Sequence, residues 1–391
     1  MKIRAYNADR DFPVIKDWIT DERTHAMWCA NRTSFPIEKE SFDQLLKDIA
    51  ERCNDKPFVA LDENGAVVGF FCYSLNTDTR EGMLKFVMVD PARRGKGLGR
   101  EMIRSATAYA FDETGAKAVQ LMVLSANERA RKCYEGAGFT ERHRQEGAFS
   151  YQDEIWDRIN MVIEHPILQK CPSKLHRDFM DYALGFFHEN HCKALLKGSI
   201  YKDTAHQFSD IDLVLKRMDQ KTVKAFIYGY GEVALISRTK RPAGIIIVIY
   251  QNGLSLDLDF RDKVTREEIE NSDVIGQRFD EDDIADSLQR SENIPEMDEE
   301  SNWKSMQRLF HRSLIKWLGG NQELGESILQ EIVDFLEEEK VNVPALAGKY
   351  IDDFEIVLNV FRDHYTLDRK YDSVVRELLK AAAVVKDGKM V

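Results

Sequence analysis

Basic residues are too few, apolar runs too short and cysteines too scattered for several whole classes of protein. The 391 residues carry 55 Lys and Arg against 67 Asp and Glu, a formal charge of −12. A general nucleic-acid coat needs a cationic excess to meet phosphates, so that class is excluded and only a local basic patch stays open. No run approaches the roughly 18–20 apolar residues that span a bilayer. The opening MKIRAYNADRDF lacks the apolar core of a secretory signal. A soluble, cytoplasmic protein with no membrane partner is expected. The six cysteines (Cys29, Cys53, Cys72, Cys133, Cys171, Cys192) form no CxxC pair and no metal-type set with histidines. A zinc site or disulfide framework is not expected, and reduced thiols are.

The length is enough for two domains or three, each with its own core. Up to about residue 165, strand-like and helix-like segments alternate. Phe58 to Leu61 and Ala66 to Ser74 read as strands around a Glu63-Asn64-Gly65 turn, followed by strands at Met83 to Val89 and Ala118 to Leu124. Helices are expected from Gly99 to Thr114 and from Glu128 to Gly136. Pro166 and Pro172 interrupt this pattern, so residues 166–171 read as a linker. A second α/β block at 172–265 has a helix from Lys174 to Glu189, strands at Lys193 to Lys197 and Asp210 to Leu215, and a hairpin around Asn252-Gly253. Beyond Ser301 only helices are expected, near 301–318, 322–339, 347–363 and 368–385. Within 266–391, the stretch Glu267 to Glu300 holds 14 acids against Arg278 and Arg290. It is either a solvated face or a rim that attracts a cationic substrate.

Met83 to Ile103 reads MLKFVMVDPARRGKGLGREMI, a strand, a glycine-rich turn and a helix start. Such a turn aims several main-chain N–H groups at one spot, and the helix dipole adds positive potential. Arg93, Arg94 and Lys96 add formal charge. The motif Arg94, Gly97, Gly99 with its preceding strand resembles the GNAT superfamily of acyl-CoA N-acyltransferases, and the likeness covers residues 1–163. It implies a mixed α/β domain at 1–165 that uses acetyl-CoA. The backbone of Val87, Met88 and Val89 would pair with the pantetheine arm, and Arg94, Gly95, Lys96, Gly97, Leu98 and Gly99 would hold the pyrophosphate. By the same resemblance Asn127 would contact the cofactor, and Tyr134 would protonate the leaving sulfur as a general acid. The family has no fixed base. Glu81, just before the cofactor strand, is the candidate here, with a surface role as the alternative. Trp18 and Trp28 stand as pocket-lining or core residues.

Residues 195–215 read LLKGSIYKDTAHQFSDIDLVL. Strand alternation puts Asp210 and Asp212 on one face and Ile211, Leu213 and Leu215 on the other. Two adjacent carboxylates repel unless a cation bridges them, and Mg²⁺ or Mn²⁺ suits oxygen ligands. A later strand brings Asp257 and, on the same face, Asp259. Gly198-Ser199, Asp-x-Asp and the later acid together resemble the DNA polymerase β-like nucleotidyltransferase superfamily. That likeness implies metal ligation by Asp210, Asp212 and Asp257, with Asp257 next to the attacking hydroxyl and Asp259 the alternative third acid. Gly198 and Ser199 would grip the triphosphate of ATP or another NTP. The helical tail looks like an appended acceptor-side subdomain.

The expected function is thus a bifunctional transferase: N-acetylation of an amine by the first domain, and metal-dependent NMP transfer to a hydroxyl by the second. Cationic amines such as aminoglycoside-like small molecules would be the acceptors. Two alternatives remain: a toxin-like nucleotidyltransferase acting on protein or RNA, or one domain kept only as a ligand-binding module.

Overall fold

The computed structural model describes residues 1–216, 218–240, 243–291 and 302–386, and the chain divides into two compact units, Met1–Gln169 and Lys170–Val391. The strands of the first unit are β1 (Lys2–Ala5), β2 (Lys56–Leu61), β3 (Val67–Asn76), β4 (Glu81–Val89), β5 (Ala118–Leu124), β6 (Thr140–Tyr151) and β7 (Glu154–Glu164). Its helices are α1 (Ala8–Ile15), α2 (Glu22–Cys29), α3 (Lys39–Cys53), α4 (Leu98–Thr114), α5 (Glu128–Glu135) and the single turn α6 (Pro166–Gln169). The sheet runs in the order β1-β2-β3-β4-β5-β7-β6, and only the β4–β5 pair is parallel.

Helices cover both faces of the central strands, which explains why β3 is apolar without a break. Phe71 and Tyr73 join Met102, Ile103, Ala106 and Ala110 of α4 in one cluster. The alternate residues Phe70 and Cys72 join Phe12 and Ile15 of α1 and Phe42, Leu45 and Ile49 of α3 in another. Trp18 belongs to this second cluster and is 6% exposed. Residues 166–169 depart from the expected linker: they form α6, with Ile167 and Leu168 buried, and the unit boundary falls after Gln169.

In the second unit the ranges are α7 (Lys174–Glu189), β8 (Lys193–Leu196), α8 (Gly198–Tyr201), β9 (Ile211–Lys216), α9 (Gln220–Tyr230), β10 (Val233–Lys240), β11 (Ala243–Tyr250) and β12 (Ser255–Lys263). There follow α10 (Arg266–Glu270), β13 (Asp273–Gly276), β14 (Gln289–Arg290), α11 (Asn302–Leu318), α12 (Gln322–Glu338), α13 (Tyr350–His364) and α14 (Arg369–Lys386). The sheet order is β10-β11-β12-β9-β8-β13, with β14 added beside β12. Strands β9 and β12 are parallel, and Asp212 lies directly opposite Asp257. Phe310 and Leu314 of α11, Ile332 of α12, Phe354 of α13 and Val375 of α14 form a helical core that includes Ile247 and Ile249 of β11. Several acids of the acidic stretch are ion-paired where it is described. Glu268 pairs with Lys197, Asp273 with Lys170, and Asp280 and Asp283 with Lys193. Residues 292–300 of that stretch lie outside the described residues.

Candidate functional sites

The first site begins where two parallel strands part. The β4–β5 register ends at Leu84 opposite Leu121, although β4 continues to Val89 and β5 to Leu124. A bulge helps to open the gap. Phe70 lies opposite Met88 but Cys72 lies opposite Lys85, so β4 carries an extra residue there, and Phe86 takes a left-handed φ of 51°. A bulge bends its strand and increases local twist. The result is a cleft of about 970 Å³ lined by Val87, Met88 and Val89 on one wall and by Leu121, Met122 and Val123 on the other.

The glycine-rich turn closes one end of this cleft. Gly95 and Gly97 have φ of 83° and 82°, values that exclude most side chains. Gly97 caps the 17-residue helix α4, so main-chain N–H groups and the positive end of the helix dipole gather at the turn. Arg94, Gly95, Gly97 and Gly99 line the cleft. Lys96 is exposed and does not line it, and Leu98 opens α4 and packs on the core. Arg93 also points elsewhere, being ion-paired with Asp62 and Asp90. Arg94, Arg100, Arg129 and Lys132 are among the cations that do line the cleft. Burial, and then the charge of Arg129, lowers the pKa of the Arg94 guanidinium and outweighs the upward pull of Asp90 and Asp21. Arg129 and Lys132 were missed from the sequence. Their signal was the basic run in α5 immediately after Asn127.

Asn127 lines the cleft, and its side chain has a structural task as well: Oδ1 accepts from the Ala130 N–H at 3.2 Å and caps α5. Tyr134 lines the same cleft and is 7% exposed. Burial pushes its hydroxyl pKa well up, so it is protonated at neutral pH and able to donate. Glu81 is a correction. It does not line the cleft; Arg142 grips both carboxylate oxygens at 2.7 and 3.0 Å, and Gln120 donates at 2.9 Å. Arg142 holds its pKa down against the effect of burial, which removes it as a base for the cleft.

The cleft is lined as well by Arg23, Trp28, Phe86, Glu154 and Trp156. Arg23 pairs with Glu154 and lies 5.0 Å over the Trp156 ring. Trp156 Nε1 also donates to Glu154 at 2.9 Å, and these two partners pull the carboxyl down to about 2. Trp28 therefore lies in the pocket and Trp18 in the core. The β6–β7 hairpin that brings Glu154 and Trp156 was not expected from the sequence.

The second site lies on the polar face of β9 and β12. Gly198, with φ of 68°, approaches Asp212 so closely that a Cβ there would stand 1.8 Å from Oδ2. The Ser199 hydroxyl next to it is buried and finds no hydrogen-bond partner. Burial, then the nearby Asp210, raises Asp212 to about 6. Burial with Asp210 and Asp212 raises Asp257 to about 7. The three carboxylates therefore feel one another. Asp259 is engaged elsewhere: Arg261 donates to it at 2.6 Å. For Asp210, burial works upward, but the Lys316 ammonium outweighs it and the pKa falls. Lys316 Nζ stands 3.1 and 3.0 Å from its two oxygens. The expected ready-made metal set is thus corrected. Among the described residues no group of three or more His, Cys, Asp or Glu side chains is arranged to hold a metal ion. A lysine reaches Asp210 instead.

Residues 15–139 match the model of the acetyltransferase (GNAT) family. Mycothiol acetyltransferase of Propionibacterium freudenreichii subsp. shermanii is 31% identical over 132 residues, which cover 32% of this chain and 42% of that protein. Streptothricin acetyltransferase of Streptomyces lavendulae is 33% identical over 89 residues, covering 23% of this chain and 47% of that protein. The chain therefore spans less than half the length of either relative. Among solved structures, spermidine N-acetyltransferase from Vibrio cholerae in complex with CoA and spermine is 22% identical over 42% of this chain and 94% of that one, with a TM-score of 0.36. The N-terminal unit carries an acetyltransferase domain of the GNAT family over residues 15–139.

Proposed function

We propose that the first unit transfers an acetyl group from acetyl-CoA to the nitrogen of a small cationic amine. The observation that carries this reading is the single cleft that joins parted parallel strands, a glycine turn at a helix N-terminus and a protonated tyrosine. The residues fit the thioester carrier. Main-chain groups of Val87 to Val89 face a gap with no β5 partner, and Arg94 and Arg129 supply positive charge at the glycine turn. Bound there, acetyl-CoA supplies an activated acyl carbon and a thiolate leaving group. The strand gap would orient it, the turn would hold its phosphates, and the Tyr134 hydroxyl would give its proton to the departing sulfur. The acceptor would enter beside Trp28 and Phe86, whose aromatic side chains line the cleft and favour a cation, next to the Arg23–Glu154 pair. Calorimetry with acetyl-CoA, followed by thiol release across a panel of polyamines and aminoglycosides, tests the reading. Micromolar binding with amine-dependent thiol release is expected; no acetyl-CoA binding would end it.

For the second unit we propose nucleotidyl transfer from an NTP to a hydroxyl, with magnesium or manganese as the expected ion. The register of Asp212 with Asp257 and the close approach of Gly198 to Asp212 favour it. The unpartnered Ser199 hydroxyl at that turn suits a phosphate oxygen. As arranged, the carboxylates do not form an ion site, so the reading stands on strand register and turn geometry alone.

A further inference from the structure

We propose that Arg129 and Lys132 of α5 form a second phosphate subsite beside the glycine turn, which takes the phosphomonoester on the ribose of CoA and lets the first unit tell CoA from dephospho-CoA. The inference rests on the acetyl-CoA reading of that unit. Six cations and two carboxylates line the cleft. Arg23 is paired with Glu154, and Lys85 with Asp55. That leaves Arg94, Arg100, Arg129 and Lys132 against Glu128 alone. Among the described residues, no hydrogen bond or ion pair engages the side chains of Arg100, Arg129 and Lys132. A wall with this surplus of unengaged positive charge calls for an anionic ligand of matching charge.

The cations fall into two groups. Arg94 Nε donates to the Val89 carbonyl at 3.1 Å, which ties that guanidinium to the end of β4 at the turn. Arg129 and Lys132 stand three residues apart on α5 and so share a helix face. Arg131, between them, does not line the cleft and pairs with Glu135. Arg100 reaches across from α4 to the far end of α5, where a Cβ on Gly136 would stand 2.7 Å from its Nε. The charge of Arg129 is felt at Arg94, so the two groups adjoin, while Asp90 and Asp21 pull Arg94 the other way. A diphosphate carries about two negative charges, which the main-chain N–H groups of the turn and Arg94 can meet. A phosphomonoester adds about 1.5 to 2 more at neutral pH. Arg129 and Lys132 are the cations left to meet it, and like charges held this close are relieved when an anion sits among them.

Isothermal titration calorimetry of the full chain with CoA and with dephospho-CoA, at one fixed ionic strength, tests the proposal. The parent is expected to bind CoA at least about tenfold more tightly than dephospho-CoA, the scale of one charge-assisted contact. The double variant Arg129→Gln, Lys132→Gln is expected to bring CoA down to the affinity of dephospho-CoA, and to change dephospho-CoA itself by less than about threefold. Both residues are exposed, so the substitutions leave the buried core of the unit untouched. Should circular dichroism nevertheless show the double variant unfolded, Lys132→Gln alone replaces it and is expected to lose at least about threefold of the preference on the same scale. Equal affinity for the two cofactors in the parent overturns the inference and leaves acetyl transfer standing. An equal loss for both cofactors in the variant does the same, because the side chains would then be acting on the diphosphate. Binding of neither cofactor by the parent ends both readings.

Discussion

Tyr134 holds its proton because the wall of the cleft around it is apolar, and that is the property a general acid needs at neutral pH. Tyr134→Phe removes the proton and leaves the ring, so acetyl-CoA affinity should stay within about twofold while turnover falls by roughly tenfold or more. Stopped-assay thiol release with calorimetry checks the pair of values, and an unchanged turnover removes Tyr134 from the chemistry. Gly198 is a second residue with a sharp geometric demand. A methyl group there would strike the Asp212 carboxylate, and its φ of 68° strains any L side chain. Gly198→Ala should cost about 2 kcal/mol or more of stability in the second unit, measured by urea unfolding. Both positions were singled out from the sequence by their place in a motif. What could not be read was the partner chosen by each charge. Glu81 finds Arg142 61 positions away, and Arg23 finds Glu154 131 positions away. A carboxylate placed by sequence beside a cofactor strand was thus claimed by a guanidinium on another strand.

At the scale of elements, the strongly periodic segments were legible and the polar ones were not. The strand expected at Ala118 to Leu124 and the helix expected at Lys174 to Glu189 have those bounds in the structure, because apolar spacing and flanking breakers agree there. The β6–β7 hairpin escaped notice since Thr140–Tyr151 is mostly exposed and shows no alternation, and with it went Glu154 and Trp156 of the cleft lining. The parting of β4 from β5 depends on a bulge, which leaves little trace in residue type. Helix α11 matters in another way, because it joins the helical core to the sheet through His311. Burial lowers that imidazole to about 4, below its ordinary 6.5, so the unfolded chain binds a proton between those values and the folded chain does not. Stability is accordingly present above pH 6.5 and lost as the pH falls toward 4. From pH 7 to pH 5 the loss should be about 2 kcal/mol from this group alone. Urea unfolding of the parent at the two pH values, set against His311→Gln, isolates it; an equal loss in both proteins removes His311 as the source.

Across the whole molecule, each unit has its own sheet and its own buried cluster, and each gathers its candidate site from its own strands. That organisation was legible in the change of pattern near Pro166, while the boundary itself was missed by a few residues because α6 is folded. Two sites built on separate cores should respond to ligands separately, since a ligand stabilises only the cooperative unit that binds it. Differential scanning calorimetry of the full chain should therefore show acetyl-CoA raising one transition, and a nucleoside triphosphate with magnesium raising another. At a ligand concentration of 100 times Kd each shift corresponds to about 2.7 kcal/mol. Asp212→Ala removes one carboxylate of the register pair and should erase the nucleotide response while the acetyl-CoA response keeps its size. Loss of both responses would mean that the two units unfold as one. Survival of both would show that Asp212 takes no part in holding the nucleotide, and the second unit's proposed chemistry would then have to be sought away from β9 and β12.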